Sequence, residues 1–162
     1  KMPMSDQTKE PNSAKYNISE LSGRSIGEIE TGMSAIYART VTEADIIAFA
    51  GVSGDDNPVH LNEDYAASTM FKGRIAHGML SVGYISAVIG TRLPGPGCIY
   101  LSQSLRFRAP VSIGDTVTAR VTVTAMDRER NRVTLSTVCT VGDKIVIDGE
   151  AEVMPPNDRS LV

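Results

Sequence analysis

Residues 54–60 of the stretch GDDNPVHLNEDY place two carboxylates, an amide, a proline and a histidine side by side. An Asp and a His that converge on one water can share a proton transfer: the carboxylate accepts, while an imidazole orients the water or passes a proton on. Asp55 and His60 are the candidate pair. Five positions apart, they would stand about 17 Å from each other in an extended chain, and on a helix their directions would diverge by roughly 140°. Only a turn brings them together. Asn57 and Pro58 supply one, because Asn hydrogen-bonds its own backbone in tight bends and Pro pushes the residue before it out of helical geometry. The same residue types also make an ordinary turn ahead of a helix cap, so the pattern by itself leaves both readings open. Asp56 is a second carboxylate beside the first.

The chain has one other histidine, His77, in HGML (77–80). An apolar run starts there, which puts Gly78 at a helix N-terminus. Unpaired amides at such an end attract negative charge, so the Gly78 N–H can hold a carbonyl oxygen that gathers charge during a reaction. Glycine also lets a ligand approach closely. The plainer reading makes Gly78 a tight loop-to-helix junction and His77 a core or capping imidazole.

These groups need elements to position them. SAIYART (34–40) alternates as a strand does. In TEADIIAFAG (42–51), Thr42 caps the amide of Asp45, Ile46, Phe49 and Ala50 form an apolar stripe, and Gly51 stops a short helix. Asn62 caps a second helix running to about Met70, with Glu63 and Asp64 at its positive end. The segment 78–93 is apolar on nearly all sides, so it reads as a helix that must be wrapped. LPGPG (93–97) ends it. Four runs rich in Val, Ile and Thr follow, at about 98–108, 115–126, 132–142 and 144–154, and read as an antiparallel meander. The class is α+β, with a sheet curled around a central helix. Residues 1–22 read as an arm and 157–162 as a tail, flanking one domain over 23–156.

The length of 162 residues suits one domain with a core. A net charge of -3 and a pI near 5.4 provide no positive field for nucleic acid. The longest strongly apolar stretch, 78–90, is too short for a membrane span. Cys98 and Cys139 lack a disulfide or metal spacing, and no apolar targeting run follows the first charges, so a reducing, cytoplasmic setting is expected.

DDNPVHLNEDYAASTMFKGRIAHGML together with QSLRFRAPVSIGDTVTARVTV resembles the (R)-specific enoyl-CoA hydratases of the MaoC-like, hot-dog-fold superfamily over about 28–154. The family pattern Asp-x-Asn-Pro-x-His falls on Asp55, Asn57, Pro58 and His60 with no position missing, and it selects Asp55 over Asp56. The resemblance implies a single hot dog with an overhanging helical segment, paired as a homodimer or larger even assembly. It implies that Asp55 and His60 activate water and that Gly78 N–H receives a thioester carbonyl. Asn57, His77, Met79 and Ser86 are expected to contact substrate, and Met79, Leu80, Val82 and Tyr84 to offer an apolar slot. Lys72, Arg74, Arg106 and Arg108 are candidate partners for phosphate. No metal or cofactor is expected, the acyl-CoA being the substrate. A hot-dog thioesterase and a non-catalytic acyl-thioester-binding subunit are the alternatives.

Overall fold

The computed structural model describes residues 18–157, so 1–17 of the expected arm and 158–162 of the tail lie outside the described residues. The β-branched runs form strands as their alternation requires. They are β1 (Ser34–Thr40), β2 (Ile99–Phe107), β3 (Thr116–Asp127), β4 (Arg132–Val141) and β5 (Lys144–Met154). On β3 the residues Val117, Ala119, Val121 and Val123 point inward, and on β4 Val133, Leu135, Thr137 and Cys139 do the same. This period of two places every second side chain against one core face.

The five strands pair antiparallel in the order β1-β3-β4-β5-β2. The meander is therefore real only for β3-β4-β5. After β2 the chain crosses the end of the sheet through residues 108–115 and restarts beside β1, because β2 finds its partner in β5 and not in β3. Both β1 and β2 are edges.

Among the described residues there are four α-helices, α1 (Glu43–Ser53), α2 (Pro58–Leu61), α3 (Glu63–Ser68) and α4 (Gly78–Thr91), besides two short 3-10 turns ahead of β1. Helix α4 lies across β1, β3 and β4, with Ile85, Val88 and Ile89 buried against their apolar face. It is not wrapped all round. Met79, Gly83, Ser86 and Gly90 recur at helical spacing and stay exposed, because one curled sheet covers only one side of a helix. Three of these four are small, which is why the sequence alone reads the helix as closely surrounded. No helix among the described residues is long and apolar enough to cross a membrane.

Both cysteines are free thiols. Burial pushes the Cys139 thiol up to about 12 and Cys98 up to about 11. The thiolate is the reactive form, so neither should react appreciably with Ellman's reagent at neutral pH in the native protein. Full reaction of both after unfolding in guanidinium is the expected contrast.

Candidate active site

The loop that carries Asp55 begins with the way α1 starts and stops. Thr42 Oγ1 accepts the Asp45 amide at 3.2 Å, and Asp45 Oδ2 accepts the Thr42 amide at 2.9 Å, a reciprocal cap. Arg39 donates to the other oxygen of Asp45 at 2.5 Å and holds that carboxyl below the usual carboxylate range. At the far end the helix runs through Gly51 and ends at Gly54, whose φ of 77° is left-handed. A side chain there would be strained. The stop comes three residues later than the first glycine suggests, because Gly51 has ordinary helical neighbours and Gly54 makes the αL cap.

From Gly54 the chain bends through two nested side-chain turns. Asp55 Oδ1 accepts the Asn57 amide at 3.3 Å, and Asn57 Oδ1 accepts the Val59 amide at 3.2 Å. Asn57 thereby N-caps α2, with Pro58 in the first helical position, where its missing N–H leaves no gap. Asn57 is exposed and serves the turn. The bend swings His60 inward until its ring is buried, while Asp55 stays at the surface. Asn62 caps α3 by accepting the Tyr65 amide at 2.9 Å, and α3 ends at Ser68, short of Met70.

His60 Nδ1 donates to the Ile75 carbonyl at 2.7 Å. A carbonyl only accepts, so the proton sits on Nδ1 and the Nε2 lone pair is free to take one. The chain segment bearing His60 is locked by Arg74. Its Nε donates to the His60 carbonyl at 2.6 Å, and its two terminal nitrogens form a fork with Glu43 at 2.9 and 3.0 Å. Arg74 is thus engaged inside the fold, with its side chain largely buried. Arg74→Met is expected to lower stability by about 2 kcal/mol, from the charged hydrogen bond more than from the ion pair to half-exposed Glu43. In a thermal melt this is a drop of about 4–8 °C. Arg74→Lys should recover little of it, since an ammonium cannot reproduce the fork.

His77 is fully buried beside this loop. Its Nε2 lies 2.9 Å from the Asp55 carbonyl oxygen, and its ring faces the His60 ring at 3.9 Å between centroids and Phe49 at 4.8 Å. One carboxylate oxygen of Asp55 and one ring nitrogen from each histidine fall within 4.8 Å of one another. A single water whose oxygen is about 2.8 Å from each of two acceptors fits such a separation. The set has the composition of a zinc site, but the two imidazoles are stacked only 32° from parallel. One nitrogen of each ring already faces a backbone carbonyl, His60 Nδ1 that of Ile75 and His77 Nε2 that of Asp55.

His60 opens onto a cavity of about 510 Å³. Gly78 and Met79, at the N-terminus of α4, form its floor beside Ser81. The Gly78 N–H has no acceptor among the described residues. A β-carbon at Gly78 would lie 2.6 Å from the Phe107 ring, so only glycine brings this helix end so close to that aromatic wall. The other walls are apolar: Met70, Phe71 and Ile75 from the segment after α3, and Phe107, Val111 and Ile147 from the sheet side.

The structure thus brings a carboxylate oxygen of Asp55 to within 4.8 Å of a ring nitrogen of His60 and sets His60, Gly78 and Met79 around the cavity, while Asp55 stands beside His60 and does not itself line that cavity. Asn57, His77 and Ser86 do not line it: Asn57 caps α2, His77 lies behind His60, and Ser86 faces outward from α4. Of the expected slot residues only Met79 takes part. Leu80 and Val82 join the core, and Tyr84 turns the other way, its ring edge-on to Tyr37 at 5.7 Å. Ser81 is a member that sequence reasoning missed. It is buried, and its hydroxyl has no partner among the described residues.

Comparison with known proteins identifies the family. A family model described as MaoC like domain matches residues 25–144. The chain is 64% identical to an (R)-specific enoyl-CoA hydratase of Rhodospirillum rubrum over 80% of its own length and 90% of the relative's. It is 50% identical to a 3-hydroxybutyryl-CoA dehydratase of Methylorubrum extorquens, over 80% and 82%. The unliganded R-hydratase PhaJ1 from Pseudomonas aeruginosa superposes with a TM-score of 0.79 at 49% identity, over 84% of this chain and 88% of that one. The antiparallel sheet on its central helix is the hot-dog fold of those enzymes. With a shared fold, a shared sequence over four-fifths of its length and the loop and helix end described above, this chain belongs to the MaoC-like domain family.

Proposed function

We propose that the protein adds water reversibly to trans-2-enoyl-CoA, giving (R)-3-hydroxyacyl-CoA. The observation that carries this reading is the approach of an Asp55 carboxylate oxygen to within 4.8 Å of a ring nitrogen of His60, whose ring opens onto a cavity floored by the amide end of α4. A water held there gives one hydrogen to the Asp55 carboxylate and the other to His60 Nε2, leaving an oxygen lone pair for the substrate. As that oxygen attacks C3, one member of the pair takes a proton and the carbon–carbon π electrons move toward the thioester oxygen. Gly78 N–H stabilises the resulting enolate charge, and one such donor in a dry site supplies about 3 kcal/mol. The pair then returns a proton to C2 on the face from which water came. Hydrogen and hydroxyl have both been added, and nothing is left over.

The apolar walls suit an acyl chain. Arg108 stands at the cavity rim, forked onto Asp148 at about 3 Å, and Arg106 lines the adjoining polar recess. These two are the better placed candidates for the phosphates of CoA, since the Arg108 side chain is half-exposed despite its ion pair, whereas that of Arg74 is largely buried. We further assign a homodimer. The edge strand β2 leaves Ile99, Tyr100, Leu101 and Phe107 exposed, and α4 shows an uncovered stripe. A second copy would cover an open sheet edge of this kind. The free thiols suit a cytoplasmic setting.

The test is to mix the protein with crotonyl-CoA and follow both the conjugated-enoyl absorbance and free thiol. Loss of absorbance without thiol release is the expected result. Thiol release would mean that water is directed at the carbonyl carbon, as in a thioesterase, and no change in either would favour a binding subunit.

A further inference from the structure

We propose that His77 is the positioning residue of this site: its ring N–H clamps the main chain at Asp55 while its ring face supports His60. The proposal rests on the hydration reading only for its kinetic consequences.

His77 touches both halves of the acid–base pair without lining the substrate cavity. The Asp55 carbonyl only accepts, so the proton of His77 must sit on Nε2. Nδ1 then carries a lone pair, and that atom is buried with no partner among the described residues. An apolar side chain would fill this space without leaving a buried nitrogen unpaired. What an apolar side chain could not do is reach the Asp55 oxygen at 2.9 Å. The ring is held from its other side by Phe49, so its orientation is set by packing between α1 and α2.

Chain connectivity extends the consequence. His77 is the N-cap of α4 and directly precedes Gly78. A single residue therefore joins three parts: the backbone that bears the carboxylate, the imidazole that shares the water, and the amide that faces the carbonyl. Two of these arrive from one loop, and the third comes from a helix 18 residues beyond His60. Reacting groups must be held within a fraction of an ångström for an addition of this kind, and a misplacement of about 1 Å lowers the rate by about a hundredfold. Asp55 is exposed and lies just after a left-handed glycine, and its own amide donates only locally, to Ser53 Oγ at 3.1 Å. Among the described residues, the contact to His77 is the hydrogen bond that ties it to the start of α4.

Two variants separate the two contacts. His77→Phe keeps a ring between Phe49 and His60 but has no N–H for Asp55. His77→Gln keeps an N–H at comparable reach but has no ring. With crotonyl-CoA, His77→Phe is expected to lower kcat about a hundredfold while KM stays within about twofold, since the residue acts through groups that react and not through groups that bind. His77→Gln should regain at least about tenfold of that loss. A wild-type kcat in His77→Phe, equal losses in both variants, or a loss carried by KM would each overturn the proposal. A second measurement does not depend on turnover or on any substitution at His77. The chain has two histidines, so nitrogen-15 spectra of the native protein contain four ring nitrogens, assigned with His60→Asn. The clamp requires His77 protonated at Nε2 and His60 at Nδ1; a His77 protonated at Nδ1 instead would refute it. A native protein that fails to hydrate crotonyl-CoA would overturn the hydratase reading and leave this spectroscopic test standing.

Discussion

Asp55→Asn should lower kcat for hydration of crotonyl-CoA by about 10³-fold, or roughly 4 kcal/mol of barrier, while the melting temperature moves by less than about 2 °C. The two halves of that expectation have separate causes. Asparagine keeps an Oδ1 that can accept the Asn57 amide, the bond that Asp55 makes in the turn, so the bend and the His60 approach survive. It has no carboxylate to take a proton from water. Asp55 is also exposed, so the substitution opens no void. Asp56→Asn is the control: it changes the same charge one residue away, on a side chain with no place in the turn, and should leave kcat within about twofold. Equal losses at 55 and 56 would mean that the loop attracts substrate by charge and performs no proton transfer. Steady-state assays of both variants beside a thermal melt decide it.

The parts of the fold that depend on neighbours in sequence are those that could be read before any coordinates. The four strands after residue 98 declare themselves through alternating Val, Ile and Thr, and Thr42 and Asn62 cap the helices that follow them. The Asp55–Pro58 bend is local too, since each of its bonds spans two residues. What was not legible depends on distant partners. Nothing in residues 108–115 says that β2 will pair with β5, because a crossover has the same composition as a short turn. The cavity wall draws Phe71, Phe107 and Ile147 from three unrelated segments, and such a surface has no period. Arg74 looks like a solvated charge until its fork closes on Glu43. Ser81 looks like a packing residue on an apolar helix; only burial beside a cavity gives its hydroxyl significance.

His60 is where removing chemistry and removing structure must be kept apart. His60→Ala should lose about 10³-fold in kcat, but it is not silent for stability. The Nδ1 proton satisfies the Ile75 carbonyl at 2.7 Å, and the ring fills the space against His77. Without them a carbonyl loses its donor and a void opens, at a combined cost of about 2 kcal/mol, seen as a melting temperature lower by about 4–8 °C. His60→Asn divides these effects. Its amide N–H falls near the position of Nδ1 and can still donate to Ile75, yet nothing replaces Nε2. It should therefore melt closer to wild type than the alanine variant and be as inactive. Retention of more than about a tenth of the activity in His60→Asn would show that Nε2 takes no part in proton transfer. If it does take part, the carboxylate and the imidazole serve one water, and removing the second partner after the first should cost little more. The double variant Asp55→Asn/His60→Asn is then expected within about tenfold of either single variant, far from the product of the two losses.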